Sequence, residues 1–513
     1  MDTSAMQGTS GARYQTLSTE RDSFLQRARR ASKLTIPALI PPDGHSSASS
    51  LPTPFQSLGA RGVNNLCSKL LLTLLPPNAP FFRLVIDDYA LQELGGDDTV
   101  KAEVEASLAK IEKAVMSEIE TSGMRPRLFE ALKHTVVGGN ALLFLEPAGK
   151  LRVFPLDSYV VDRDPSDNLL EVIIHEKVSA VTLKPELYAL IKDRHTAGGK
   201  PDDVDLYTHA KLANGRWMEH QELCGVRVPA SDTIYPEAKF PYVALRWNYI
   251  AGEAYGRGMV EEYEGDLISL EGLSEAIVQG SAASARGLIM VNPNGVTRQK
   301  DVAGAANWAV ITGVETDVSV LQAQKSADLN VAAQTADTIR QELSKDFLLN
   351  SSVIRNAERV TTVEIRFIAQ EIEDTLGGVY SLLSGELQLP LVTRLLDRLR
   401  AQGRIPAIPD SIKPQIVTGL DALGRGHELN QLDVFITGAS QQLGPEMLAQ
   451  YLNAGQYLLR RANALGMNTK GLIRSEEEVQ AAMQAAQQQA MVQQAIPTMI
   501  DAGAKAMTQT PTA

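Results

Sequence analysis

The chain has 513 residues, enough for three or four folding units at roughly 150 residues each. Hydrophobic residues make up 44% and charged residues 21%, which excludes disorder and collagen-like repeats for the bulk of the chain. Acids outnumber Lys and Arg 61 to 49, a formal net charge of −12, which excludes a protein whose whole surface clamps nucleic acid.

Residues 13–33 place Arg13, Arg21, Arg27, Arg29, Arg30 and Lys33 around Tyr14, Leu17, Phe24, Leu25 and Ala28, which predicts a basic amphipathic helix with either a solvated face or an acidic partner. Five prolines and a serine run at 37–54 read as an extended connector. Helical spacing returns at Phe55–Leu75 and stops at Pro76-Pro77. Its apolar run is about half the ~20 residues of a membrane span and contains Lys69, so no transmembrane helix is expected. The N-terminal residues lack the apolar core of a signal peptide, which points to a cytoplasmic protein. Val104, Leu108, Ile111, Val115 and Ile119 predict a helix over 99–121, with Gly123 and Pro126 as stop signals.

From 141 to 250 short apolar runs alternate with turns, a β-rich region whose register the imperfect alternation leaves open. Asn214-Gly215 between 204–212 and 216–223 is a hairpin signal. Residues 260–285 return to helix, with Glu261, Glu262, Glu264, Asp266, Glu271 and Glu275 and no Lys or Arg, finishing in the small residues 280–285. A compact β-containing insert follows at 286–325, and helix resumes at 326–349. The stretch 350–360 is polar and aperiodic. Thr361 and Glu364 form a capping box for a long helix that bends at Gly377-Gly378 and at Pro390 and ends near Gly403. Residues 411–475 read as shorter helices, and the tail from 476 is rich in Ala, Gln and Met, helical or disordered.

The search for chemistry is negative. Gly256-Arg257-Gly258 and Gly424-Arg425-Gly426 lack the third glycine of a dinucleotide site, and Gly198-Gly199-Lys200-Pro201 lacks the spacing of a P-loop. His427-Glu428 has no second histidine for zinc, and Gly272-Leu273-Ser274-Glu275-Ala276 sits within helical periodicity. Cys67 and Cys224 stand apart, which fits a reducing compartment and excludes a disulfide scaffold or a cysteine-rich zinc site. No catalytic residue, cofactor or metal is assigned. Two long helices flanking a small β insert, one of them strongly acidic, suit a ring in which copies line a tunnel.

Seven ordered strings carry a resemblance that covers about residues 14–475. They are TPFQSLGARGVNNL at 53–66, LFEALK at 128–133, SYVVDRD at 158–164, YGRG at 255–258 with EEY at 261–263, EIEDTLGGVY at 371–380 and ELQLPL at 386–391. On these strings the sequence resembles the portal, or head-to-tail connector, proteins of short-tailed bacteriophages of the T7 type. The resemblance implies an α+β, mainly helical portal fold of wing, stem, clip and crown, assembling as a ring, generally of twelve subunits, around a central DNA channel. It implies a wing at 1–259 and 361–405, stem helices at 260–285 and 326–349, a clip at 286–325, a tunnel loop at 350–360, a crown at 406–475 and a tail at 476–513.

The same resemblance implies a place in the virion, at one capsid vertex, with assembly in the bacterial host cytoplasm. There the ring would nucleate head assembly and carry the genome in packaging and ejection. Its partners would be other copies of itself, double-stranded DNA, the terminase large subunit, the major capsid and scaffold proteins, a tail adaptor protein and internal core proteins, with no membrane. In that setting Glu261, Glu264, Asp266, Glu271 and Glu275 are the candidates for an acidic channel wall that lets phosphates slide. In the loop, Asn350, Arg355, Glu358 and Arg359 are the candidate DNA-facing residues. Arg355 and Arg359 against Glu358 leave a net +1 per copy, a positive collar when repeated around a ring. Two other readings compete: a cytoplasmic enzyme without recognisable motifs, and a helical adaptor binding through 13–33 and the Ala/Gln tail.

Overall fold

The computed structural model describes residues 9–46, 48–77, 81–86, 98–195, 203–285, 288–306, 309–321, 326–349, 362–406, 412–416 and parts of 434–461. They mix helix and sheet. The chain divides into two compact units, Met1–Gly96 with Leu108–Gly419, and Asp97–Ser107 with Leu420–Ala513. The elements below belong to the first, apart from the opening turns of one helix at 98–107.

Helix α1 (Ser10–Leu34) starts where the Thr9 hydroxyl accepts from the Ala12 backbone N–H at 3.3 Å. Tyr14, Leu17, Arg21, Leu25 and Ala28 recur at three and four residues and form its buried stripe. A connector without helix or strand leads to α2 (Leu58–Leu74), which stops ahead of Pro76. Strand β1 (Phe82–Ile86) precedes α3 (Asp98–Thr121). Gly123 does end α3, but Pro126 does not end helix altogether. It sits in the first turn of α4 (Met124–Gly138), where a missing N–H costs nothing because those N–H groups have no intrahelical acceptor. Helix α4 packs on α1 and α2 and runs into β2 (Asn140–Leu145).

Strands β3 (Leu151–Phe154), β4 (Tyr159–Arg163) and β5 (Leu169–Ser179) follow, then α5 (Pro185–His195), β6 (Asp203–Ala213), β7 (Arg216–Leu223), β8 (Val226–Arg227), β9 (Thr233–Pro236) and β10 (Tyr242–Arg246). They form two antiparallel sheets, β10-β2-β3 and β4-β5-β6-β7-β8 with β9 also on β7. Asn214 and Gly215, at φ +51° and +70°, close the β6–β7 hairpin in the conformation that such a two-residue turn needs. Both faces of the larger sheet are covered. One buries Tyr159, Val161, Val172, Ile174, Ala210 and Trp217 in the main cluster; the other packs Val160, Ile173 and Tyr207 against Tyr14 and Leu17 of α1. A sheet buried on both sides has apolar residues at consecutive positions, which is why alternation in this region is imperfect.

Helices α6 (Met259–Glu262) and α7 (Glu264–Ala285) are followed by the hairpin β11 (Leu288–Val291) and β12 (Val318–Leu321), with α8 (Gln299–Ala303) between its strands. Helix α9 (Ser326–Asp346) packs along α7. The long helix starts as α10 (Thr362–Leu383), breaks its helical angles at Leu376 beside Gly377-Gly378, passes through a π-turn at Ser384–Gln388 and continues as α11 (Leu389–Ala401). It ends at Gly403, φ +68°. Residues Ile412–Ile416, expected to be helical, form instead β13, which pairs antiparallel with β1. Thr361 of the capping box, the stretch 350–360 and most of 417–513 lie outside the described residues.

Candidate channel-forming helices and their anchorage

The acidic helices are anchored largely by their own acids. Glu261 receives Arg27 at 3.4 Å and Arg257 at 3.3 Å, and Glu264 receives Arg30 at 2.8 Å. Glu271 accepts the backbone N–H groups of Phe55 and Gln56 at 2.8 and 3.2 Å, which ties α7 to the end of the connector. Glu275 accepts from Gln279 at 2.9 Å within the helix, while Asp266 is exposed. The Asp346 carboxyl lies above its usual range, through burial first and then through the nearby charges of Asp266 and Glu342. Acids therefore crowd where the start of α7 meets the end of α9. Asn350, Arg355, Glu358 and Arg359 lie outside the described residues.

The basic face of α1 meets acids of its own chain. Arg13 pairs with Glu171 and Asp162, Arg29 with Asp43, and Arg27 and Arg30 with the acidic helices. Arg21 is 6% exposed, and its Nη1 donates to Tyr14 Oη and to the carbonyls of Leu156, Asp157 and Tyr159 at 2.8–3.1 Å. It is a buried brace between α1 and the turn before β4, not part of a solvated face.

Helix α2 holds the far end of α9. Leu348 sits at φ +53°, a left-handed conformation that a leucine adopts only under constraint. Asn65 Nδ2 donates to the Phe347 and Leu348 carbonyls at 3.1 and 2.9 Å. Lys69 Nζ, 1% exposed, donates to Leu348 O at 2.9 Å and to Glu371 Oε2 on α10 at 3.0 Å. One buried ammonium thus joins the end of α9, α2 and α10. A second junction lies at the π-turn. Glu386 accepts the Arg246 backbone N–H at 3.0 Å and its guanidinium at 3.0 and 2.6 Å. Asn65, Lys69, Arg246, Glu371 and Glu386 were not among the sequence candidates. The available signal was Lys69 itself, a lone cation in an apolar run, which can be buried only if partnered.

The Gly256-Arg257-Gly258 string cradles no phosphate. A Cβ on Gly258 would lie 2.5 Å from the Val137 carbonyl and one on Gly256 2.9 Å from that of Asn248, so the glycines let this loop cross the end of α4. Asn140 fixes the crossing by exchanging two 2.7 Å hydrogen bonds with the Gly256 backbone. Cys67 is buried, and burial pushes its thiol up to where it is inert. Among the described residues no His, Cys, Asp and Glu cluster suits a metal, and no helix is long and apolar enough to cross a membrane.

Comparison with known proteins assigns these features to a family. Residues 7–473 match the bacteriophage head to tail connecting proteins. The chain is 40% identical to the portal protein of Escherichia phage T7 over 504 residues, 97% of this chain and 92% of that one. It is also 40% identical to the portal protein of Enterobacteria phage T3 over 93% of this chain and 90% of that one. For the portal protein of Pseudomonas phage phiKMV the figures are 32% identity, 95% and 96%. The chain belongs to the bacteriophage head-to-tail connecting protein family, the portal proteins of T7-like phages.

Proposed function

We propose that this chain closes into a ring, generally of twelve copies, at one capsid vertex of the virion, and that DNA passes through the ring in packaging and ejection. The observation that carries this reading is the composition of α7. Its apolar and small residues lie on all sides, as in a helix buried all round, yet Ile268 and Val278 are 53% and 54% exposed and Gly265 and Gly272 face open space. Such a helix needs neighbours, and head-to-tail neighbours that close give a ring.

In this reading residues 1–259 and 361–405 are the wing, 260–285 and 326–349 the stem, 286–325 the clip, 350–360 the tunnel loop, 406–475 the crown and 476–513 the tail. Twelve stem helices about 10 Å apart close a circle roughly 38 Å across. At 1.5 Å per residue α7 is about 33 Å long and surrounds on the order of twenty phosphates of a duplex. Since residues 260–285 contain no Lys or Arg, their wall does not bind those phosphates through counterion release.

The ring itself carries no catalysis. ATP hydrolysis belongs to the terminase large subunit, which docks at the clip, while capsid and scaffold proteins, internal core proteins and the tail adaptor meet other faces. Negative-stain electron microscopy of the purified chain is expected to give rings with a central hole. A stable monomer at micromolar concentration would refute the reading.

A further inference from the structure

The sheet face that meets the start of α1 carries a buried polar chain unrelated to any channel wall. Ser10 opens α1 and is 2% exposed; its backbone N–H donates to Glu222 Oε2 at 2.7 Å. Its Oγ lies 3.2 Å from His209 Nδ1 and 3.1 Å from His220 Nε2. His209 Nε2 is 2.7 Å from Glu171 Oε1, and Arg13 Nε and Nη2 donate to Glu171 Oε2 at 3.0 and 2.7 Å.

One end of this chain fixes every bond in it. Burial is the largest influence on Glu171 and would raise its carboxyl, but hydrogen bonds from His209 and Arg13 outweigh it and hold the group at about 2. Glu171 is therefore ionised and only accepts, so His209 donates from Nε2, and in the neutral ring its Nδ1 is bare. The Ser10 hydroxyl donates to that bare nitrogen, and its oxygen accepts from His220 Nε2. This leaves His220 Nδ1 without a proton, buried, and with no hydrogen-bond partner among the described residues.

The arrangement depends on a neutral His220. A proton on its Nδ1 would place charge where no acceptor waits among the described residues. The titratable and charged groups on this face include Arg13 and Tyr14 on α1, Asp162 on β4, Glu171 and His175 on β5, Asp205, Tyr207 and Lys211 on β6, Glu222 on β7 and Arg227 on β8. Glu222 Oε1 is 3.4 Å from His220, but its other oxygen is taken by Ser10, and Arg227 opposes a positive charge. His220 accordingly lies below the ordinary imidazole range, through burial first, then the charge of Arg227.

We propose that Glu171, His209, Ser10 and His220 form an acid-released latch that pins the first turn of α1 to the β5–β7 face and frees that turn, with the sheet still folded, on protonation. A histidine held neutral in the fold stabilises it above the ordinary imidazole range near 6.5 and ceases to do so as pH falls.

Hydrogen exchange by mass spectrometry on the assembled full-length protein tests this. Peptides covering Ser10–Thr16, corrected for intrinsic rate, are expected to lose at least tenfold protection between pH 7.5 and 4.5, while peptides from β5 and α4 keep theirs. His220→Gln retains a donor for Ser10 without titrating and is expected to stay protected at pH 4.5. Ser10→Ala is expected to exchange fast at both pH values. Unchanged protection of the native chain, an equal acid loss in His220→Gln, or an undiminished pH response in Ser10→Ala would each overturn the latch.

Discussion

His134 on α4 is an imidazole whose protonation burial opposes. It is 4% exposed, its Nδ1 has no partner among the described residues, and burial first of all lowers it from 6.5 to about 4. The unfolded chain takes up a proton below 6.5 and the folded chain only below about 4, so stability present above 6.5 drains away as pH falls and levels off below about 4. That amounts to about 2 kcal/mol by pH 5 and about 3 kcal/mol in full. His134→Leu is expected to remove this part of the acid sensitivity, read as a smaller shift of the denaturant midpoint between pH 7.5 and 5. An unchanged shift would assign the sensitivity elsewhere. At this scale the sequence was least informative. Apart from His427, the other six histidines are scattered along the sequence. Yet His209 and His220 lie equally far from the Asn214-Gly215 turn, so the hairpin signal already made them cross-strand partners. Glu171 and Ser10 complete the chain from distant positions, and no local pattern joins them.

Among the elements, α7 makes the sharpest test of the ring. A side chain at position 272 meets nothing within 4 Å in the single chain. Gly272→Leu therefore should leave the fold intact, and should raise helix propensity by about 1 kcal/mol. If a neighbouring copy packs on this face, the same leucine prevents assembly. Light scattering with circular dichroism is expected to report a folded but monomeric variant; rings of normal size would show that this face is free. Elements with strong local signals were legible, including α1, α2, α7, α9, the β6–β7 hairpin and the bend near Gly377. Helix α4 was hidden because Gly123 and Pro126 read as stops, although the same two residues also start a helix. The pairing of β13 with β1 was hidden because it joins residues over 300 positions apart, and only tertiary context makes 412–416 a strand. The sequence placed the five stem acids on one helix, whereas the structure breaks that helix at Tyr263 and leaves Glu261 on α6; nor could the sequence foresee that Glu261 and Glu264 meet α1 and that Glu271 meets the connector.

For the whole molecule the positive collar remains the decisive proposal. Replacing Arg355 and Arg359 together by Ala changes the loop from +1 to −1 per copy and leaves every anchoring contact described above in place. Rings and procapsids are expected to form normally, while packaged DNA is lost or packaging stalls, because phosphate contacts are individually weak and act in number. Full infectious particles at the normal level would make these arginines structural.

Helix α1 has a mechanical consequence at the same scale. Its first residue is embedded against the sheet, and its second half is bolted to the acidic helices by Arg27 and Arg30. A straight rod of 25 residues is about 37 Å long, so a tilt of about 5° at one end displaces the other by about 3 Å, a full hydrogen-bond length. The sheet and the row of acids thus share one rigid member, and a displacement of α1 is carried to both.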